Sequence, residues 1–176
     1  DPSAGTIWAI DDISSQVQDR RRLEHAATHD PLTGVLNREG FVRAVDDALA
    51  ASDAAATLVA LDLDRFKPIN DSAGHAAGDA MLKAVAAVLQ RQVRASDSVG
   101  RLGGDEFALL LRGCDVATGV RIADKTLRAV EALQVDWQGR SLSVGASLGV
   151  CERAARLETA DQWLNEADAA CYAAKH

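Results

Sequence analysis

Arg101-Leu102-Gly103-Gly104-Asp105-Glu106-Phe107-Ala108-Leu109-Leu110-Leu111 joins a tight turn carrying two acids to an unbroken apolar run. The run Phe107 to Leu111 fits a buried strand and Ser98 to Leu102 its short partner. The glycines between them allow a φ > 0 turn and an approach free of side chains, so a β-hairpin with an acidic tip is predicted. A diphosphate has room to come close there. Gly-Gly-Asp is also ordinary surface-turn chemistry, and only the rest of the chain separates the two readings.

Two more strands and four helices follow from patterning. Thr57 to Leu63 is almost continuously apolar until Asp62, as a central strand covered on both faces should be, and an acid at the end of such a strand is unusual. Ser141 to Val150 alternates and carries small residues, which suits a closely packed strand. Asn37 is a good N-cap for a helix with Phe41, Val42, Val45, Ala48 and Leu49 at helical spacing. Asp79 to Val93 sets Met81, Leu82, Val85, Val88, Leu89 and Val93 on one face, and a helix from about Asp115 to Leu133 is expected to bury Val116, Val120, Ala123, Leu127 and Val130. Trp137 and Gly139 predict a small hairpin. Thr159 with Gln162 forms a capping box for a last helix whose inner face holds Trp163, Leu164, Ala167, Cys171 and Ala174, with Trp163 and Tyr172 read as core. Arg65 to Gly78, dense in Pro68, Asn70, Asp71, Gly74, His75 and Gly78, reads as a binding loop.

The order is β-α-β-β-α-β with a helix added at each end, an α+β plan of the ferredoxin-like, palm-like kind. Right-handed crossovers put its third strand beside the first and antiparallel to it. Asp62 and Asp64 then meet Asp105 and Glu106, although they are far apart in sequence. Acids so placed repel one another and raise one another's pKa unless a cation sits between them. All the donors are hard oxygens, so Mg²⁺ is the expected ion, with Mn²⁺ as the alternative.

Before this core, Gly5 to Ile10 reads as a short strand and Asp12 to His29 as a solvated connecting helix. Ile10, Ile13 and Val17 fit heptad positions, but Arg20 and Glu24 fall where the next core residues belong, so the coiled-coil signal is weak. Asp30-Pro31-Leu32-Thr33-Gly34 is turn chemistry. It divides the chain into 1–11, 12–29 and 30–176. The 176 residues, 48% apolar and 26% charged, suit one globular domain with an appendage. A net charge of -7 argues against a nucleic-acid partner. The three cysteines, Cys114, Cys151 and Cys171, show neither a disulfide framework nor zinc spacing, so a reducing cytoplasm is expected. No apolar run approaches the roughly 20 residues of a membrane span and no signal peptide opens the chain. A start at Asp1 and an end inside a helical pattern lead us to expect a segment of a larger protein.

Taken in order, Asp30-Pro-Leu-Thr-Gly-Val-Leu-Asn-Arg38, Leu61-Asp-Leu-Asp-Arg-Phe-Lys67, Ile69-Asn-Asp71, Gly74-His75, Gly78-Asp79, Arg101-Leu-Gly-Gly-Asp-Glu-Phe107 and Cys171-Tyr-Ala-Ala-Lys175 resemble the GGDEF domain. This is the catalytic module of diguanylate cyclases, which make cyclic di-GMP from two GTP. The resemblance runs from Asp30 to Lys175. It implies that Asp62 and Asp105, with the backbone carbonyl of Leu63, hold Mg²⁺, and that Glu106 joins them or acts on the proton. It implies guanine-edge contacts from Asn70 and Asp79, and a triphosphate clamp from Lys67, Lys175 and the backbone around Arg65 and Phe66. Gly104 leaves room for the α-phosphate. His75 either contacts a phosphate or holds its own loop, and Asp64 either ligates or supports a ligand. Two domains, each with one GTP, must face each other, so a homodimer is implied.

Arg94-Ala-Ser-Asp97, five residues before Gly103, resembles the family's inhibitory product site, which cyclic di-GMP would occupy. Arg101 either extends it or is structural, and Arg121, Lys125 and Arg128 are candidates for its second cation. Gly5 to Ile13 resembles the end of a PAS-type sensor leading into a signalling helix. The family usually continues past Tyr-x-Ala-Lys with Gly-Arg-Asn and a final strand, where this chain stops at His176. The rival function is a non-catalytic module that binds GTP or cyclic di-GMP.

Overall fold

A computed structural model describes residues 2–51 and 54–176, with side chains from residue 12 onward. Its core is a four-stranded sheet in the order β2-β3-β1-β6, built from β1 (Ala56–Asp64), β2 (Ser98–Gly103), β3 (Glu106–Arg112) and β6 (Gly145–Glu152). The central strand β1 is antiparallel to both β3 and β6, as the split βαβ plan requires. A two-stranded hairpin, β4 (Val135–Trp137) with β5 (Arg140–Leu142), turns through Gln138 and Gly139, both at positive φ.

Helices cover both faces of the sheet. Leu61 and Leu63 of β1 and Phe107, Leu109 and Leu111 of β3 pack with α4 (His75–Gln92) and α5 (Val116–Glu131). Leu58, Ala60, Ala108 and Leu110 point the other way, against α2 (Arg38–Ala50) and α6 (Ala160–Lys175). Double coverage explains why β1 and β3 lack the apolar/polar alternation of a half-exposed strand. It also fixes the side of the acids, because Asp62 follows Leu58 and Ala60 at a spacing of two and so faces α6.

Local chemistry sets the helix ends. Asn37 Oδ1 accepts from the Gly40 amide at 2.9 Å and opens α2, and Asp115 does the same for Thr118 in α5 at 2.8 Å. Thr159 and Gln162 form a complete capping box on α6. Trp163, fully buried beneath α6, donates its indole N–H to the Cys151 carbonyl at 3.0 Å. Gly149 of β6 lies under α6 so closely that a Cβ would overlap backbone atoms of Ala167, Ala170 and Cys171.

Several expectations are corrected. Gly5 to Ile10, read as a strand, falls within α1 (Pro2–Thr28), because once a helix is nucleated a short apolar run extends it more readily than it starts a strand without a partner. Arg65 to Gly78 is not a loop: it forms α3 (Phe66–Ala73) and the start of α4. Pro68 lies in the first turn of α3, where its missing N–H costs nothing. The strand expected over Ser141 to Val150 is split between β5 and β6. In α5, Val116 and Val120 are exposed and the inward face is Gly119, Ala123, Thr126 and Val130. Tyr172 and Ala174 are exposed at the end of α6, beyond the part of the helix that the sheet covers. Trp163 is core, as expected. Among the described residues no helix is long and apolar enough to cross a membrane.

Candidate active site

The register between β1 and β3 places Asp62 directly opposite Glu106. The turn Gly104-Asp105 closes the β2–β3 hairpin next to them, and the Leu63 amide donates to the Asp105 carbonyl at 3.2 Å, docking the tip onto the end of β1. Gly104 has a φ of +24° and no neighbour within 4 Å of where a Cβ would stand.

The electrostatics are those of crowded acids. Burial, then Asp62, pushes the Asp105 carboxyl above its ordinary range. Burial, then Asp62, Asp168 and Asp105, does the same to Glu106, with Arg38 partly offsetting it. The cation that meets them is Lys175, whose ammonium donates to Asp62 Oδ2 at 2.9 Å and lies 3.6 Å from Asp64 Oδ1. This hydrogen bond to Asp62 raises the Lys175 pKa. Ser147 holds Asp64 separately, its hydroxyl 3.0 and 3.1 Å from the two carboxylate oxygens.

Among the described residues no three His, Cys, Asp or Glu side chains are gathered closely enough to cage an ion as they stand. The donor set nevertheless fits a hard divalent cation. It consists of carboxylate oxygens from two strand ends, two of them short of compensating charge, with an ammonium already drawn to the third. Asp62, Asp105 and Glu106 would hold the ion, with the Leu63 carbonyl beside them.

Arg38, Asn165, Asp168 and Cys171 line a small cavity of about 90 Å³ together with Asp62 and Glu106. Arg38 and Asp168 were not singled out from sequence, although Asp168 precedes Lys175 by two helical turns on α6 and so shares its face. Asp30 is likewise more than a turn former. Its carboxylate accepts from the Thr33 amide at 2.9 Å, the Thr33 hydroxyl at 2.7 Å and the Arg101 guanidinium at 3.2 Å. Arg101 Nε also donates to the Gly104 carbonyl at 2.9 Å. Through Arg101 the end of the connector is tied to the hairpin tip.

The remaining candidates are distributed as follows. Asn70, on α3, places its Oδ1 where a Cβ on Gly78 would be, next to the exposed Asp79 of α4. The two expected guanine contacts therefore adjoin. Phe66 is buried in the core, Lys67 is exposed, and Arg65, at φ 57, is the left-handed residue that turns the chain from β1 into α3. His75 is exposed at the first position of α4.

Arg94 and Asp97 lie beyond the other end of β2, by Arg112. Asp97 accepts from the Arg94 and Arg112 amides, both at 3.0 Å, and Arg94 donates to the Arg112 carbonyl at 2.6 Å. Asp97, with its side chain only 2% exposed, organises this loop, and Arg94 is the member that reaches solvent. Arg101 does not join them, since the length of β2 intervenes and its guanidinium is taken by Asp30. The recess beside Arg94 is lined by His29, Gly34, Gln90 and Val93, with none of Arg121, Lys125 or Arg128 among its walls.

With this geometry in place, known proteins are informative. A sequence-family model described as "Diguanylate cyclase, GGDEF domain" matches residues 27–176. "Probable diguanylate cyclase DgcE" of Escherichia coli K12 is 40% identical over 175 residues, covering 98% of this chain and 16% of its own length. A sensory box/GGDEF family protein of Caulobacter crescentus CB15 superposes with a TM-score of 0.77 at 37% identity, over 84% of this chain and 97% of that one. The coiled coil and GGDEF domain of DgcB from Caulobacter crescentus, in complex with c-di-GMP, gives a TM-score of 0.90 at 25% identity, over 98% and 93%. The chain spans 16%, 22% and 20% of the length of three curated relatives that it matches.

Proposed function

Because the chain belongs to the GGDEF family of diguanylate cyclases, we propose that it condenses two GTP into cyclic di-GMP, each domain presenting one nucleotide to a site completed by a second copy. The supporting observation is the pairing of Asp62 with Glu106 across β1 and β3, with Asp105 on the adjoining turn. In each half-reaction a 3′-hydroxyl oxygen bonds to the α-phosphorus of the other GTP. The bond from that phosphorus to the bridging oxygen breaks, pyrophosphate leaves and the hydroxyl proton is taken up. Two such steps close the ring and release two pyrophosphates.

Bound at these acids, Mg²⁺ or Mn²⁺ supplies charge for the developing transition state and acidifies the attacking hydroxyl. Glu106, on β3 opposite Asp62, either joins Asp62 and Asp105 in holding the ion or takes that proton. Asn70 and Asp79 bind the guanine edge, where a carboxylate accepting from N–H donors favours G over A. Lys67 and Lys175 meet the phosphates, and Gly104 admits the α-phosphate. The cytoplasm, where GTP is found, is the compartment this activity requires.

Dimerisation brings the two halves together. Ile13 and Val17, 60% and 44% exposed and one turn apart on α1, are the side on which two connectors would pair, under an upstream sensor. Cyclic di-GMP at Arg94, in the recess held open by Asp97, would restrain its own synthesis. Incubation with GTP and Mg²⁺ should yield cyclic di-GMP, with Asp105→Ala and Glu106→Ala each reducing it by about 10²–10⁴. Nucleotide binding without product at any protein concentration would overturn the catalytic reading in favour of a binding module. Arg94→Ala should keep synthesis and lose product inhibition.

A further inference from the structure

The acids at the end of β1 are held in two different ways. Asp64 has a fixed partner in Ser147, which β6 presents from the neighbouring strand. Asp62 has no such support: among the described residues its carboxylate is met by a single side-chain donor, Lys175. That lysine is the last residue of α6, with its side chain 35% exposed. It reaches Asp62 on a flexible four-carbon stem, so it can let go without any movement of the helix.

We propose that Lys175 is the resident cation of the acid cluster whenever no metal is bound, and that divalent metal enters by exchange with it at Asp62. This rests on the reading of Asp62, Asp105 and Glu106 as a metal site. An ammonium 2.9 Å from Asp62 Oδ2 and a divalent ion on the same carboxylate would be two like charges a few ångströms apart, and their repulsion favours one occupant at a time. A divalent ion would prevail by its double charge and by drawing on Asp105 and Glu106, with which the ammonium forms no ion pair. The displaced ammonium then lies free at the rim, available to an incoming anion only once the acids are filled. Metal loading and phosphate binding are thereby put in order by one side chain.

The test is a titration of the nucleotide-free protein with Mn²⁺, following the electron paramagnetic resonance signal of the free ion. Lys175→Met should bind Mn²⁺ about fivefold more tightly than the parent, the scale of one exposed ion pair. Lys175→Arg, which keeps the charge, should bind no more tightly. In chelator Lys175→Met should melt below the parent, and saturating Mn²⁺ should close the gap. Unchanged or weaker Mn²⁺ affinity in Lys175→Met overturns the exchange. Asp62→Asn separates the two levels of inference. If it abolishes Mn²⁺ binding while Lys175→Met gives no tightening, the exchange alone is wrong. If Mn²⁺ binding survives Asp62→Asn, the metal site is wrong and the exchange falls with it.

Discussion

Glu106 and Asp30 are acids whose surroundings act in opposite directions. Glu106 is raised by burial and by Asp62, Asp168 and Asp105, so its charged form weighs against the fold at neutral pH. Glu106→Gln should therefore reduce synthesis by about 10²–10⁴ yet, in chelator, raise the melting temperature. Scanning calorimetry checks the sign. For Asp30, burial pushes upward, but the two Thr33 hydrogen bonds and Arg101 outweigh it and hold the carboxyl low. Its contribution is present above the unfolded value, about 3.9, and is lost as pH falls through the lower folded value. Asp30→Asn should cost about 1–3 kcal/mol at pH 7, and urea melts at falling pH should show the gap closing below about pH 4. The acids were legible in sequence because strand order alone brings them together. The Lys175–Asp62 bond was not, since it depends on how α6 crosses the end of β1, which only packing sets. Asp30 read as a turn former because its partner Arg101 is distant in sequence and only folding brings the two together.

At the level of elements, α6 is fixed at its start by a cap and at its middle by a close approach. Thr159→Ala removes the hydroxyl that accepts from the Gln162 amide and should cost about 1 kcal/mol by chemical denaturation. Gly149→Ala forces a methyl into the α6 backbone and should cost about 1–3 kcal/mol or more, and the displaced helix would draw Lys175 off Asp62. The strands were readable because continuous apolar runs have few alternatives when helices cover both faces. The inward face of α5 was harder to read. Gly119 is needed there because a Cβ would collide with Thr57 of β1, and with Ala123 and Thr126 it makes a face of small residues that carries little hydrophobic signal. The brighter pair, Val116 and Val120, points to water. α3 was hidden by its length of only eight residues and by Pro68 within it.

Over the whole molecule the proposed chemistry needs two copies, so rate per molecule should rise with concentration. A chain shortened to begin at Ala27 should keep the circular dichroism of the sheet and its helices. Its product formation should require a higher concentration, since Ile13 and Val17 are gone; equal activity at every dilution would show that α1 plays no part in pairing. The junction that α1 makes with the domain has a mechanical side. The Asn37 amide and side chain bond the Thr28 and Ala27 carbonyls at 2.9 and 3.0 Å, His29 bridges Leu36, and Asp30 grips Arg101, which grips the Gly104 carbonyl. These contacts form a continuous path among the described residues. The helix of 27 residues is a lever about 40 Å long, and a tilt of about 5° at its clamped end sweeps the far end through about 3–4 Å. Worked from the far end, the same gearing runs in reverse. A displacement of several ångströms there would arrive at the glycine turn as a rotation of a few degrees, fine enough, in the proposed two-copy reaction, to adjust how one nucleotide is aimed at the other.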